Sequence, residues 1–382
     1  MKIYCIHPAV SSIETLRSFL GVEVPGDAQW DSSAPDVLIA SEWIYYKRKY
    51  FREFERLYNR SGVRVAYLGE ALEPDFNVFD YAVGFSNRHG GDERFIRLAP
   101  PLEMYWRFFP SVMPGSPSVM PGSSSVMPGS PAVMPGSPSV IPGSPSVMPG
   151  STGHLAEGIP AQGGYDNAVM PDLIGHPAAF CNFLYSNAEA HPMRDALFYR
   201  ISEYKRVDSL GRHLNNTGRG GTGYGGGHAA ESVLLRQGYK FSIAAENAEF
   251  PGYTSEKIFC ALAARTVPIY WGNPDICEDV NPAAFISVRD YPDNKALIER
   301  IKHIDCDDSL WLEMVLQPWR TPQQEAAHNA RSAAYREFFE RLFEGRLERT
   351  APEGFHAGRY RQWFLQGRYS FDKTLIWNKN RH

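Results

Sequence analysis

The sequence predicts an α/β protein of two open parallel-sheet domains, interrupted by a segment that belongs to neither. Three observations predict it. Apolar runs of strand length alternate with helical patterns over residues 1–100. From Lys240 to Ile276 a strand, a turn, a short helix and a second strand follow in order. Between these regions a proline- and glycine-rich heptapeptide repeats. Parallel strands need a crossover connection, usually a helix, so the alternation implies parallel sheets with helices on their faces.

Along the first region, Lys2–His7, Asp36–Ser41 and Arg64–Leu68 read as strands. The segment KRKYFREFERLYNR between the last two is an amphipathic helix, with Tyr50, Phe51, Phe54, Leu57 and Tyr58 on its apolar side. From Val112 the chain repeats VMPGSPS through five copies and a partial sixth ending at Ser151. A period of seven invites a coiled coil, but proline in every copy excludes one, and glycine at one position in seven excludes collagen. The expectation is a disordered, partly polyproline-like insertion. Order resumes near Pro177, with a strand over 178–186 and a helix opening at His191-Pro192 and running to about Lys205, because proline suits the first helical position. A final helical region is expected from Pro322 to Arg349. The domains are then 1–108, an insertion at 109–174, a second domain at 175–325, and a C-terminal helix and tail at 326–382.

A length of 382 residues suits two domains with separate cores, and 43% hydrophobic content is ordinary for them. The net charge of −4 argues against a general nucleic-acid binder. Cysteines 5, 181, 260, 277 and 306 form no CxxC pair, and most lie in apolar runs, which suits buried reduced thiols in a cytosolic protein. The stretch before His7-Pro8 is too short for a signal-peptide core, and no apolar run approaches the ~20 residues of a membrane span. A cytoplasmic enzyme is expected, and its glycosylation sequons at Asn59 and Asn215 would then be unused. The last stretch, Phe355–His382, is basic and aromatic, a composition compatible with peripheral contact to an anionic leaflet at the inner membrane face as well as with packing on a domain.

In open α/β sheets, ligands sit beyond the carboxyl ends of the strands. At that edge of the strand beginning at Lys240 the sequence concentrates Glu246, Asn247, Tyr253, Glu256 and Lys257, more polar groups than a structural turn requires. Arg194 and Lys257 each fall in the first turn of a predicted helix, where the helix dipole already favours anions, so together they can clamp a pyrophosphate without a metal. Glu70 ends the strand VAYLGE, placed to remove a proton from a substrate hydroxyl. Two lookalikes carry less. Gly218–Gly223 satisfies GxGxxG but follows polar HLNNT rather than a strand. Asp305-Cys306-Asp307 matches a metal-binding DxD but precedes a helix, so capping explains its aspartates better.

The segment 240–276, with Glu-Asn, Tyr253-x-x-Glu256-Lys257 and Val-Pro-Ile-Tyr-Trp-Gly in order, resembles the donor-binding motif of the α-1,3-fucosyltransferases of glycosyltransferase family 10. Residues 180–216 and 67–85 agree with further blocks of that family, and Tyr67-Leu68-Gly69-Glu70 matches its Tyr-x-Gly-Glu motif. The resemblance implies a GT-B arrangement, two Rossmann-like domains facing across a cleft. It assigns Glu70 as general base and places Arg194, Glu246, Asn247, Tyr253, Glu256 and Lys257 around GDP-fucose, with Arg194 and Lys257 on the phosphates. It implies an inverting transfer of L-fucose to an oligosaccharide acceptor containing GlcNAc or Glc, α-1,3 linkage favoured and a Lewis-x-type product expected. No cofactor would be required, a divalent ion such as manganese being at most stimulatory. Two rivals remain at this level: a GT-B transferase for another nucleotide sugar, and a non-catalytic, repeat-bearing surface protein.

Overall fold

The computed structural model describes residues 1–98, 177–218 and 228–351. The heptapeptide repeat at Val112–Ser151, the glycine-rich stretch following Gly218 and the basic tail Phe355–His382 lie outside the described residues.

The first sheet is built from β1 (Lys2–Ile6), β2 (Gln29–Trp30), β3 (Val37–Ser41), β4 (Val63–Tyr67), β5 (Tyr81–Gly84) and β6 (Phe95–Arg97), in the order β2-β1-β3-β4-β5-β6. Every pairing is parallel. β3 is buried throughout, as expected for a strand covered on both faces. One face is covered by α1 (Ile13–Leu20), which a capping box between Ser12 and Thr15 starts and left-handed Gly21 (φ 67°) ends. After β3 come a single turn, α2 (Trp43–Tyr46), and then α3 (Arg48–Tyr58), which covers the other face with Phe51, Phe54, Leu57 and Tyr58. Sequence periodicity found α3 but not α1, β5 or β6, which are too short to show a period of their own.

The second sheet contains β7 (Ala179–Phe183), β8 (Val207–Ser209), β9 (Tyr239–Ala245), β10 (Val267–Trp271) and β11 (Ile286–Ser287), ordered β11-β10-β9-β7-β8 and again parallel. α4 (Met193–Tyr204) packs on one face through Leu197, Phe198 and Ile201. α5 (His228–Arg236) and α6 (Glu256–Ala263) occupy the other, where Ile258, Phe259, Cys260 and Leu262 are buried. α7 (Asn294–Cys306) and α8 (Asp308–Val315) complete the layer shared with α4.

The last helix, α9 (Pro322–Phe343), opens with a Thr321–Gln324 capping box. It ends earlier than Arg349 because Gly345 turns left-handed (φ 71°) just beyond it. Its apolar residues Phe338, Phe339, Leu342 and Phe343 join the core of the first sheet, so the chain returns to the domain it began in. The next residues stay there. The backbone N–H groups of Thr350 and Ala351 both donate to Asp80 Oδ1 at 2.8 Å. The same carboxylate takes Nε and Nη2 of the fully buried Arg64 at 2.9 and 3.0 Å.

One smaller expectation is corrected by the structure. Asp307 caps α8 through Ser309 and Leu310, but Asp305 caps nothing. It is buried at the end of α7, where it accepts from the Tyr204 hydroxyl and the Lys205 ammonium, both at 2.9 Å. Most of the cysteines are buried as expected: Cys5, Cys181 and Cys260 are buried free thiols, while Cys277, inside the short turn Ile276–Glu278, and Cys306, the last residue of α7, are exposed.

Candidate active site

The carboxyl ends of β4 and β5 on one sheet, and of β9 on the other, converge on a cavity of about 300 Å³. From the first domain Tyr67, Gly69, Glu70, Phe85 and Leu98 line it, and from the second Asn247, Tyr253, Ser255, Glu256 and Lys257. That volume lies at the lower end for small-ligand pockets. Of the seven residues the sequence singled out, five therefore share one cavity. The other two, Arg194 and Glu246, lie behind its wall.

Glu246 is 0% exposed, and its position explains how α6 begins. Its Oε1 accepts the Ser255 N–H at 2.8 Å and its Oε2 the Ser255 hydroxyl at 2.6 Å. Ser255 is the N-cap of α6, but its own side chain makes no capping bond. The Lys257 ammonium lies 3.2 Å from Glu246 Oε2, 2.9 Å from Ser255 Oγ and 3.5 Å from Glu256 Oε1. Burial pushes the Glu246 carboxyl above its ordinary range despite the opposing Lys257 ammonium. For Lys257 burial works against the charge, but the Glu256 and Glu246 carboxylates outweigh it, and the ammonium is held above its usual value. Lys257 is thus a fixed cation on the cavity wall, and Glu246 is the group that fixes it.

Arg194 is 1% exposed. Its guanidinium stacks on the Tyr185 ring at 4.2 Å and donates to Asn187 O at 3.0 Å and to Asn247 Oδ1 at 2.5 Å. It occupies the first turn of α4 as the proline suggested, but it faces the cavity only through Asn247. The sequence could not reveal this, because the separation of 53 residues between the partners carries no local signal.

On the opposite wall Glu70 stands three residues past β4, rather than ending that strand, and accepts the Tyr253 hydroxyl on Oε2 at 3.0 Å. Burial, followed by the Glu70, Glu246 and Glu256 carboxylates, raises the phenol well above its ordinary range, so it remains a donor. The neighbouring Gly69 N–H donates to Glu42 Oε2 at 3.1 Å. Glu42 was not anticipated, although it follows β3 just as Glu70 follows β4, and the rule that placed Glu70 at a strand end applies equally to it.

The turn between β9 and α6 is held by both domains. Gly252 has φ +85°, and a Cβ there would fall 2.2 Å from Phe85 O, so the position admits only glycine. Its N–H donates to Asn273 Oδ1 at 2.7 Å, while Asn273 Nδ2 donates to Thr254 Oγ1 at 2.9 Å. The Thr254 hydroxyl donates in turn to the buried Asp279, which also receives Arg97 of β6 at 3.1 Å and Arg331 of α9 at 2.5 Å. Among the described residues no group of three His, Cys, Asp or Glu side chains is placed to hold a metal ion, and no helix is long and apolar enough to cross a membrane.

Two family models match this chain. "Glycosyltransferase family 10 (fucosyltransferase) C-term" covers residues 178–340, and "Alpha-(1,3)-fucosyltransferase FucT N-terminal domain" covers 38–105. The chain is 32% identical over 154 residues to a putative fucosyltransferase of Acanthamoeba polyphaga mimivirus, a match covering 38% of this chain and 25% of that protein. It is 28% identical over 254 residues to the alpha-(1,3)-fucosyltransferase FucT of Helicobacter pylori, covering 66% of this chain and 46% of that one. The matches therefore span less than half the length of either relative. In fold, the chain is similar to a crystal structure of an alpha1,3-fucosyltransferase with GDP-fucose, at a TM-score of 0.56 and 19% identity, covering 88% of this chain and 90% of the other.

Proposed function

Because the chain belongs to glycosyltransferase family 10, we propose that it transfers L-fucose from GDP-β-L-fucose to a hydroxyl of a glycan containing GlcNAc or Glc, with α-1,3 linkage. The observation that carries this reading is the two-sided cavity. A carboxylate from the first domain, Glu70, and a cation at a helix N-terminus of the second, Lys257, line the same space. Transfer of a sugar from a nucleoside diphosphate needs both: a base for the attacking hydroxyl and positive charge for the departing pyrophosphate.

In this reading the acceptor O–H gives its proton to Glu70 as its oxygen bonds to the anomeric carbon. The bond from that carbon to the β-phosphate oxygen breaks, and its electron pair leaves on GDP. One displacement inverts the centre and needs no enzyme nucleophile. Lys257 and the positive end of α6 stabilise the charge gathering on the phosphate. Glu256, exposed on the rim, is suited to hydroxyls of the ribose or fucose, and Asn247 to a neutral contact beside them. Arg194 acts from behind Asn247, orienting its amide and adding positive potential, and it reaches a phosphate directly if Asn247 turns aside. Glu246 acts through Lys257. A metal-free reaction belongs to the same proposal, as does a cytoplasmic site of action with the basic tail at a membrane.

The test is product analysis. Purified protein is incubated with GDP-fucose, GDP-mannose and UDP-sugars against lactose, lacto-N-biose and N-acetyllactosamine, with and without chelator, and the products are read by NMR. An α-fucoside on O3 of GlcNAc or Glc, formed from GDP-fucose alone, is expected. Turnover with another donor, or β configuration, overturns the reading.

A further inference from the structure

The outer face of α3 has no role in the site, yet it carries a dense run of exposed cations. Arg48, Arg52 and Arg56 recur every fourth residue and so advance only about 40° per step around the helix, with Lys49 on the same side. The opposite side is sealed into the core by Phe51, Phe54, Leu57 and Tyr58. With Lys47 and Arg60 at its ends, the segment 47–60 has six cations against two carboxylates, in a chain whose net charge is −4. All six are exposed. Among the described residues none of them forms an ion pair. Arg56 donates only to a backbone carbonyl, Ser32 O, at 2.9 Å. One of the two carboxylates, Glu53, accepts the Tyr4 hydroxyl at 2.5 Å, which turns it toward the sheet and away from the ridge.

Aromatic rings gather where the ridge begins. Trp43 lies edge-on to Tyr46 and Tyr50, each at 6.4 Å between centroids, and the three are half-buried. The Lys49 ammonium stands 4.4 Å from the centre of the Tyr50 ring. The Tyr46 hydroxyl is turned inward, and partly exposed Trp43 and Tyr50 beside Lys and Arg have the composition that settles at a membrane interface. The same end adjoins the cavity, for Glu42, the residue just before α2, accepts the Gly69 N–H on the cavity wall.

We propose that the α3 ridge seats the first domain on an anionic lipid surface, with the Trp43–Tyr50 end lowest and the cavity mouth at Gly69 and Glu70 facing along that surface. The docking stands on the charge and exposure of the ridge and the aromatic rings at its end, independently of the reaction. That it would present the cleft to a membrane-linked acceptor rests on the transferase reading, which product analysis tests separately. Each cation brought near such a surface adds binding that salt screens.

The full chain is sedimented with phosphatidylcholine vesicles, with and without added phosphatidylglycerol, at low and high salt. Wild-type protein is expected to bind only the anionic vesicles and to be released by salt. R48E/R52E/R56E is expected to lose at least about tenfold in partitioning, while its melting temperature and its turnover of a soluble acceptor stay at wild-type values. If the charge reversal perturbs folding, R48Q/R52Q/R56Q takes its place, with a smaller loss in the same direction. Equal partitioning of wild type and variant overturns the proposal, as does absence of wild-type binding. A higher KM for a phosphorylated acceptor with vesicle binding unchanged also overturns it and gives the ridge to the glycan.

Discussion

Tyr253 and Glu70 come from different sheets and are 183 residues apart, yet the phenol donates to the carboxylate at 3.0 Å. This bond joins the turn between β9 and α6 to the proposed base, so under the proposed reaction it would order both sides of the site at once. Replacing Tyr253 with Phe keeps the ring against Phe85 and removes only the donor. Glu70 then loses its orientation. We expect kcat to fall roughly ten- to a hundredfold, the scale of a hydrogen bond to a charged group, with GDP-fucose affinity changed far less. Stopped-flow transfer assays beside calorimetric titration of the donor check this.

Lys257 and Glu246 form a buried pair with side-chain exposures of 12% and 0%. Lys257→Met leaves the Glu246 carboxylate in the protein interior with only Ser255 for company. A loss of about 3 kcal/mol is expected for breaking such a pair, together with a large rise in KM for GDP-fucose. The double variant Glu246→Gln/Lys257→Met should recover much of the stability in urea unfolding but none of the donor binding. Recovery of both would mean that Lys257 serves the fold alone.

Asp279 receives Thr254 from the donor-side turn, Arg97 from the first domain and Arg331 from α9. Single Arg97→Ala and Asp279→Ala variants are expected to lower the melting temperature and kcat together. Because the two groups share one network, the double variant should cost less than the sum, with a coupling of roughly 1–3 kcal/mol in a double-mutant cycle. Additive effects would show that this contact does not tie the turn to the first domain.

The Arg64–Asp80 pair gives a pH dependence of definite sign. Burial pushes the Asp80 carboxyl up, but hydrogen bonds from Arg64 and from the backbone of Ala351 and Arg64 outweigh it and hold it below the ordinary value of 3.8. A group depressed in the folded state stabilises above its unfolded pKa, and that contribution disappears as pH falls through the folded value. It is therefore complete at neutral pH and lost only below about pH 4. Chemical denaturation between pH 5 and pH 2 should show stability falling with acid, and Asp80→Asn should flatten that slope while lowering stability at pH 7.

How much of this was legible in the sequence varies with the range of the interactions. Segment 240–276 announced β9, α6 and β10 because its strand, turn and helix signals are all local, and it brought Asn247, Tyr253, Glu256 and Lys257 to one edge. Glu70 was found as the end of an apolar run carrying a Tyr-x-Gly-Glu motif, although it stands three residues past β4. The burial of Arg194 behind Asn247 was not legible, nor was the burial of Glu246 beneath Ser255, because in each case a pattern fixes which residues lie near an edge but not which of them reaches the surface. The return of α9 to the first sheet was hidden for the same reason, since Phe338 and Phe339 mark an apolar face without naming what it covers. Asp279 had no sequence signal at all. Its three partners lie 25 to 182 residues away.

The most direct measurement is the pair of values for Glu70→Gln: the rate of fucosyl transfer and the dissociation constant for GDP-fucose. Glutamine keeps the shape and can still accept from Tyr253, but it cannot take a proton. Transfer is expected to fall by about 10²–10⁴-fold, the range for a general base, while the donor binds within a few fold of wild type. Turnover retained near the wild-type rate, or donor affinity lost along with transfer, would contradict the assignment of Glu70 as the base facing Lys257 across the cavity.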